Sequence, residues 1–377
     1  MTDAAAWLGA RERFGIRLGL ERMEALCAAL GSPERSLRAV HVVGTNGKST
    51  TTRTVEALLA DEGLRVGAYT SPHVTGWAER VRVDGAEADL DAAIERIVPA
   101  VEATEAALGD RVTQFEALTA AALVAFADAG LDAVSVEAGL GGRYDATAVL
   151  GAPVVVLTNV GLEHRDLLGD TREAIAAEKL AVLRPGATAV LGEPEWEDLA
   201  RANGAARVLV EPGGALALAR AAAGALLGRP VRSDRSEPVR PPGRLERIAD
   251  DPLELWDGAH NPDGVAWLVR HLEPGPRVVL ASILADKDVE AMLDRLAPVA
   301  PVLVATTSSS PRALPASDLA DRARALGAFE AVEAVDGPLV ARERARALAR
   351  DRGWPLLVAG SLYLLLDLAT VRVPCAR

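Results

Sequence analysis

Lysine is nearly missing from this chain of 377 residues: only Lys48, Lys179 and Lys287 occur, while arginine is plentiful. Asparagine is almost as scarce, confined to Asn46, Asn159, Asn203 and Asn261. Pressure of this kind replaces lysines that serve only as surface charge. Those that remain become candidates for work a guanidinium cannot do, either as a compact ammonium or as an amine whose pKa can be brought within reach. Cysteine is reduced to Cys27 and Cys375, far apart and each without a neighbour at metal spacing, which excludes a disulfide framework or a zinc site. Positive charge is also in deficit. The net charge of −12 argues against a nucleic-acid or anionic-membrane surface, both of which need clustered cations. The one strongly basic stretch, Arg342 to Arg352, alternates with Ala and Leu at helical spacing and is expected to be a solvated helix face. No apolar run reaches the roughly 18 residues of a membrane span. The start of the chain has no basic segment followed by a long apolar one, so no signal peptide is expected. A cytoplasmic protein, acting as a monomer, is the expectation.

Half of the residues are apolar, and at roughly 100–200 residues per domain the length predicts two domains. Short β-branched runs mark strands at Ala39–Val43, Arg65–Tyr69, Ala133–Glu137, Val154–Thr158, Ala187–Leu191, Val278–Ala281, Val302–Thr306 and Leu356–Ala359. Helical patterns lie between them, as at Thr51–Glu62, Glu116–Ala129, Thr171–Leu183 and Pro315–Leu326. Such alternation predicts an α/β protein whose parallel sheets are covered on both faces. The Pro- and charge-rich segment from Gly228 to Arg244 reads as a linker, giving domains of about 1–235 and 240–377.

The strand Ala39–Val43 runs into Gly44-Thr45-Asn46-Gly47-Lys48-Ser49-Thr50 and then a helix pattern. Strand, glycine turn and helix form a phosphate loop. Its glycines let backbone N–H groups approach phosphate oxygens, and the helix N-terminus adds partial positive charge. Lys48 is expected against the β- and γ-phosphates of ATP, with Ser49 or Thr50 offering a hydroxyl to Mg²⁺. The bland alternative is an ordinary capped strand-to-helix turn.

Gly-Thr-Asn-Gly-Lys-Ser-Thr resembles the phosphate loop of the Mur ligase superfamily, and further motifs follow in order along nearly the whole chain. They include Gly19–Met23, Tyr69–His73, Glu79–Gly85, Gln114–Thr119, Glu137-Ala-Gly-Leu-Gly-Gly-Arg-Tyr-Asp145-Ala146-Thr147, Thr158–His164, Glu178-Lys179, Pro242–Glu246, Asp257-Gly-Ala-His260-Asn261-Pro262, Asp286-Lys287-Asp288 and Gly360–Tyr363. Together they are similar to the folylpolyglutamate synthase/dihydrofolate synthase branch. The resemblance implies a Mur-ligase-type P-loop ATPase domain followed by a smaller Rossmann-like α/β domain. It also implies an ADP-forming ligase that joins L-glutamate to dihydropteroate or a reduced folate through an acyl phosphate. The loop reads Lys-Ser-Thr where that branch has Lys-Gly-Ser, and Ala148 stands where an Asn is usual. A Mur-type ligase using another carboxylate acceptor is therefore the alternative, and a non-catalytic nucleotide-binding protein is a third.

The residues follow the chemistry. Phosphoryl transfer is mostly positioning and charge neutralisation. Glu137 ends a predicted buried strand, where a carboxylate is costly unless paired or metal-bound. The resemblance makes it a Mg²⁺ ligand; an ion pair with Arg143 is the alternative. Ser71 and Thr50 are implied as hydroxyl ligands of that ion, and His164 as ligand of a second. Lys179 corresponds to a lysine that is carbamylated in the family, a reaction that needs a neutral amine. Arg244, Asp257, His260 and Asn261 are implied to contact ATP from the second domain, although Asn261-Pro262 equally suits a helix N-terminus. His73, Gln114, Glu116, Asp145 and Ala146 are expected near the acceptor, and Lys287 serves either glutamate or a salt bridge.

Overall fold

The computed structural model describes residues 3–11 and 19–370, so Cys375 lies outside the described residues. The chain divides into two compact units, one of residues 1–72 and 77–239, the other of residues 73–76 and 240–377.

The first unit is built on strands β1 (Ala39–Val43), β2 (Val66–Tyr69), β3 (Val81–Val83), β4 (Ala86–Glu87), β5 (Ala133–Glu137), β6 (Val154–Leu157), β7 (Thr188–Leu191) and β8 (Arg207–Val210). They form one sheet in the order β4-β3-β2-β5-β1-β6-β7-β8. The six strands from β2 to β8 in that order are parallel, and β3 and β4 add an antiparallel edge. Strand β1 is buried at every residue, and alternation decides what each face receives. Val40 and Val42 pack with Val55, Leu58 and Leu59 of the helix Lys48–Asp61 and with Leu218 and Ala222 of the Ala-rich helix Gly214–Leu227. The other face of the sheet carries the helix Gln114–Ala129, opened by a capping box in which Thr113 and Glu116 bond each other's backbone N–H. Each fully buried Val or Leu here contributes roughly 1.5–3 kcal/mol.

The second unit has β9 (Glu246–Asp250), β10 (Leu253–Trp256), β11 (Val278–Ala281), β12 (Val302–Ala305), β13 (Ala331–Ala334) and β14 (Leu356–Ala359), in the order β13-β12-β11-β14-β10-β9. Only β9 runs antiparallel to its neighbour. Both sheets are therefore mixed rather than purely parallel. The parallel expectation misses the short edge strands, whose exposed residues carry no buried-strand signature.

Two further expectations change. The linker segment is irregular but held. Ser233 Oγ donates to Asp61 at 2.6 Å, Arg235 Nε reaches the same carboxylate at 3.3 Å, and Val239 N donates to Thr54 Oγ1 at 3.0 Å. It lies along the helix Lys48–Asp61 up to Val239. The basic stretch within the helix Pro338–Arg352 is only partly solvated. Arg342 Nε and Arg346 Nη1 bond the fully buried Glu254 carboxylate at 2.8 and 3.1 Å, and Trp256 Nε1 donates to it at 2.7 Å. Helical spacing alone could not show a carboxylate waiting under that face. Among the described residues no helix is long and apolar enough to cross a membrane.

Candidate active site

The carboxyl ends of β1, β2, β5 and β6 supply the candidate residues of the first unit, at the edge where parallel α/β sheets place ligands. After β1 the chain turns at Gly44 (φ 144°) and Gly47 (φ 81°), and the helix starts at Lys48. A side chain at Gly44 would collide with the Thr158 hydroxyl, so the close approach of β1 and β6 needs glycine there. Asn159 staples the loop. Its carbonyl accepts from Thr45 N at 2.9 Å, its Oδ1 accepts from Asn46 N at 3.0 Å, and its Nδ2 donates to the Asn46 carbonyl at 3.1 Å. Thr45 Oγ1 accepts from Gly161 N at 2.9 Å, and Lys48 Nζ donates to the Thr45 carbonyl at 3.0 Å. Asn159 was expected only as part of a motif; its bracing role depends on a contact 113 residues away in sequence.

Glu137 is 2% exposed. One carboxylate oxygen accepts from Ser49 Oγ at 3.0 Å and the other from Ser71 N at 3.1 Å, which brings the phosphate loop, β5 and the β2 loop together. The hydroxyl that meets this carboxylate is that of Ser49; Thr50 follows it, half-buried. Arg143 bonds Glu178 at 3.3 Å. A buried carboxylate with the Ser49 hydroxyl beside it offers hard oxygen donors of the kind that suit Mg²⁺, which keeps water and phosphate oxygens in its shell, while the Ser71 hydroxyl accepts from Arg80 Nη1 at 3.4 Å. Among the described residues no group of three or more His, Cys, Asp or Glu forms a protein-only metal cage. His164, after β6, holds a left-handed backbone (φ 49°) as the residue before the short helix Arg165–Leu168. That conformation costs a non-glycine residue about 1–2 kcal/mol.

Lys179 is 2% exposed and donates from Nζ to the Gly44 carbonyl at 2.9 Å. Burial, with Lys48 adding repulsion, pushes its pKa down to about 8. The helix reaches the loop because Gly142 lies flat against it: a Cβ there would meet the Lys179 carbonyl oxygen at 2.5 Å.

Asp145 braces its own loop, accepting from Leu140 N at 2.8 Å, from Thr147 N at 3.0 Å and from the Thr147 hydroxyl. Burial raises its pKa, against those hydrogen bonds. The same Thr147 hydroxyl meets His41 Nε2 at 2.7 Å, and burial lowers the His41 pKa to about 4. Ala146, beside Asp145, is buried. Gln114 gives its amide to the Leu8 carbonyl at 2.8 Å, and Glu116 bonds Arg22 at 3.0 Å, so both tie the N-terminal helices to the unit. His73 is buried and opens the short segment, residues 73–76, that clusters with the second unit.

In the second unit, buried Asp257 accepts from Leu245 N and Ala259 N, both at 2.8 Å. Burial raises its pKa while Arg244 opposes the rise. Arg244 lies against Gly258, where any side chain would displace its guanidinium. His260 Nδ1 is 2.8 Å from the Gly258 carbonyl oxygen. Asn261 Oδ1 accepts from Gly264 N at 2.7 Å and caps the helix Pro262–Arg270, as the asparagine–proline pair predicts. Lys287 Nζ lies 3.9 Å from Asp286, which leaves both of its readings open.

Residues 42–193 match the Mur ligase middle domain, and residues 243–362 match the Mur ligase glutamate ligase domain. The dihydrofolate synthase/folylpolyglutamate synthase of Bacillus subtilis is 31% identical, the alignment covering 85% of this chain and 88% of that protein. The chain belongs to this family. The structure agrees. The Mycobacterium tuberculosis folylpolyglutamate synthase complexed with ADP superposes with a TM-score of 0.88 at 30% identity, covering 98% of each chain. A bifunctional folylpolyglutamate synthase/dihydrofolate synthase with Mn, AMPPNP and L-glutamate bound gives a TM-score of 0.82 at 30% identity, again over 98% of each chain. The match spans both Mur ligase domains.

Proposed function

We propose that this protein is an ATP-dependent, ADP-forming ligase that adds L-glutamate to dihydropteroate, to reduced folates, or to both. The observation that carries the reading is the convergence of a braced phosphate loop, the Glu137 carboxylate and the buried Lys179 amine at one sheet edge. Family membership supports it, as do the ADP, AMPPNP and L-glutamate of the related structures.

The loop N–H groups and the start of the helix Lys48–Asp61 bind the β- and γ-phosphates, with the Lys48 ammonium against them. Arg244, Asp257, His260 and Asn261 are assigned as ATP contacts of the second unit, Arg244 as a forked phosphate ligand. Glu137, Ser71 and the Ser49–Thr50 hydroxyls would hold one Mg²⁺ and His164 a second. Bound there, the metal would neutralise phosphate charge as it builds. The acceptor carboxylate attacks the γ-phosphorus and ADP leaves; the amine of glutamate then attacks the acyl phosphate and expels phosphate. Asp145, Ala146, His73 and Gln114 are assigned to the acceptor side. Lys179 is assigned as a carbamate: its neutral form attacks CO₂, a proton is lost, and the resulting carboxylate steadies the metal site. The enzyme is placed in the cytoplasm as a monomer without nucleic-acid or membrane partners, in keeping with a net charge of −12.

Phosphate release from ATP with glutamate tests the reading, comparing dihydropteroate, tetrahydrofolate and no acceptor. Release that requires both acceptor and glutamate is expected; release indifferent to both contradicts it.

A further inference from the structure

Two charged residues with no part in the site described above, Glu193 and Arg172, grip the segment that braces the phosphate loop. Glu193 follows β7, where Gly192 N donates to the Leu157 carbonyl at 2.9 Å and keeps the chain beside the end of β6. Arg172 opens the helix Arg172–Leu180. One Glu193 carboxylate oxygen accepts from Val160 N at 3.0 Å, and Arg172 Nε donates to the Val160 carbonyl at 2.9 Å. Arg172 Nη2 donates to the other Glu193 oxygen at 2.9 Å, and Trp196 Nε1 donates to the first at 2.8 Å. The Arg172 guanidinium also lies 5.3 Å from the centre of the Trp196 ring.

What these bonds do follows from the planarity of the peptide. In the unit joining Asn159 to Val160, the N–H donates to Glu193 and the carbonyl accepts from Thr45 N. In the unit joining Val160 to Gly161, the carbonyl accepts from Arg172 and the N–H donates to Thr45 Oγ1. Each rigid unit thus has one end on the ion pair and the other on the phosphate loop, and turning either unit breaks a bond to Thr45. Charge-assisted bonds of this kind are stronger than neutral ones. Arg172 also sits about two turns before Lys179 on the same helix, so that helix is pinned to the loop at two places, through Val160 and at Gly44. We propose that Glu193 and Arg172 are positioning residues of the ligase reaction, setting through Val160 the geometry in which the phosphate loop receives its nucleotide. The assignment rests on the ligase reading. A partly exposed ion pair contributes little to stability by itself, which leaves the orientation of Val160 as its main effect.

The test is the dissociation constant of Mg-ADP, measured by titration calorimetry on the full-length protein, together with KM for ATP and for L-glutamate. Glu195 supplies the control: it pairs with Arg172 Nη1 at 2.7 Å, but among the described residues it makes no hydrogen bond to Val160. Glu193→Ala should weaken Mg-ADP and raise KM for ATP about tenfold, as when a residue that orients a site from behind is removed. KM for L-glutamate at saturating ATP should stay at the wild-type value, a split that general loosening of the fold would not give. Glu193→Gln, which keeps an oxygen for Val160 N, should recover most of the loss, and Glu195→Ala should match wild type. Arg172→Met, which frees the Val160 carbonyl, should also weaken Mg-ADP, and it carries the test if Glu193→Ala does not fold. Wild-type affinity in Glu193→Ala or Arg172→Met, or an equal loss in Glu195→Ala, overturns the positioning role. If Lys48→Ala still lowers the affinity in that case, the ligase reading stands without it; if Lys48→Ala is silent too, both fall.

Discussion

The Lys179 amine donates to the carbonyl of Gly44, the first residue of the phosphate loop, at 2.9 Å. One of only three lysines is thus buried against the loop that holds another, and the Lys48 charge raises the cost of charging Lys179. With its pKa lowered to about 8, Lys179 has a sizeable neutral fraction near neutrality, which carbamate formation requires. Lys179→Ala should lose about 10–100-fold in turnover and regain part of it with added short carboxylates, whereas Lys179→Arg should not recover. The sign of the stability effect also follows. The penalty for burying the charge is complete below about pH 8 and fades toward the ordinary value of 10.5, so the Lys179 contribution improves as pH rises across that window. Comparing urea midpoints of wild type and Lys179→Met at several pH values reads it directly.

Lys48→Ala and Glu137→Ala should each lower ATP turnover by about 10²–10³-fold or more, as expected when a group facing developing charge is removed. Circular dichroism should remain native. Near-normal ligation by either variant removes that residue from the site.

His41 should make the protein acid-sensitive. Its pKa falls from 6.5 to about 4 because burial disfavours the charged ring. The unfolded state therefore takes up a proton first, and stability is lost as pH drops from about 6.5 toward 4. The loss from this group is about 2 kcal/mol at pH 5. His41→Gln, whose amide can still donate to Thr147, should show a shallower decline between pH 7 and 5 by denaturant titration. Parallel curves for the two proteins would exclude His41 as the cause.

Glu254 is fully buried under Arg342 and Arg346. Glu254→Ala strands two partly buried guanidinium groups and should destabilise the second unit by about 3–5 kcal/mol. A calorimetric transition that moves little would show that solvent already compensates these arginines.

The phosphate loop was readable because all its parts are contiguous: strand, glycines, lysine and helix lie within residues 39–61. Glu137 was equally plain, as a carboxylate ending a run of buried strand residues. What escaped depends on chain that returns from far away. The bond from the Gln114 amide to the Leu8 carbonyl spans 106 residues, and the partner of His41, Thr147, lies 106 residues on. The arginines near the C-terminus read as a solvated face because Glu254, 88 residues earlier, is invisible to helical periodicity.

The central claim is that the acceptor's carboxylate becomes an acyl phosphate before an amine captures it. Turnover of dihydropteroate labelled with heavy oxygen in its carboxylate, with ATP, Mg²⁺ and glutamate, tests it by mass spectrometry of the released phosphate. One labelled oxygen transferred to each phosphate is the predicted result. Unlabelled phosphate formed in step with the amide product would contradict it.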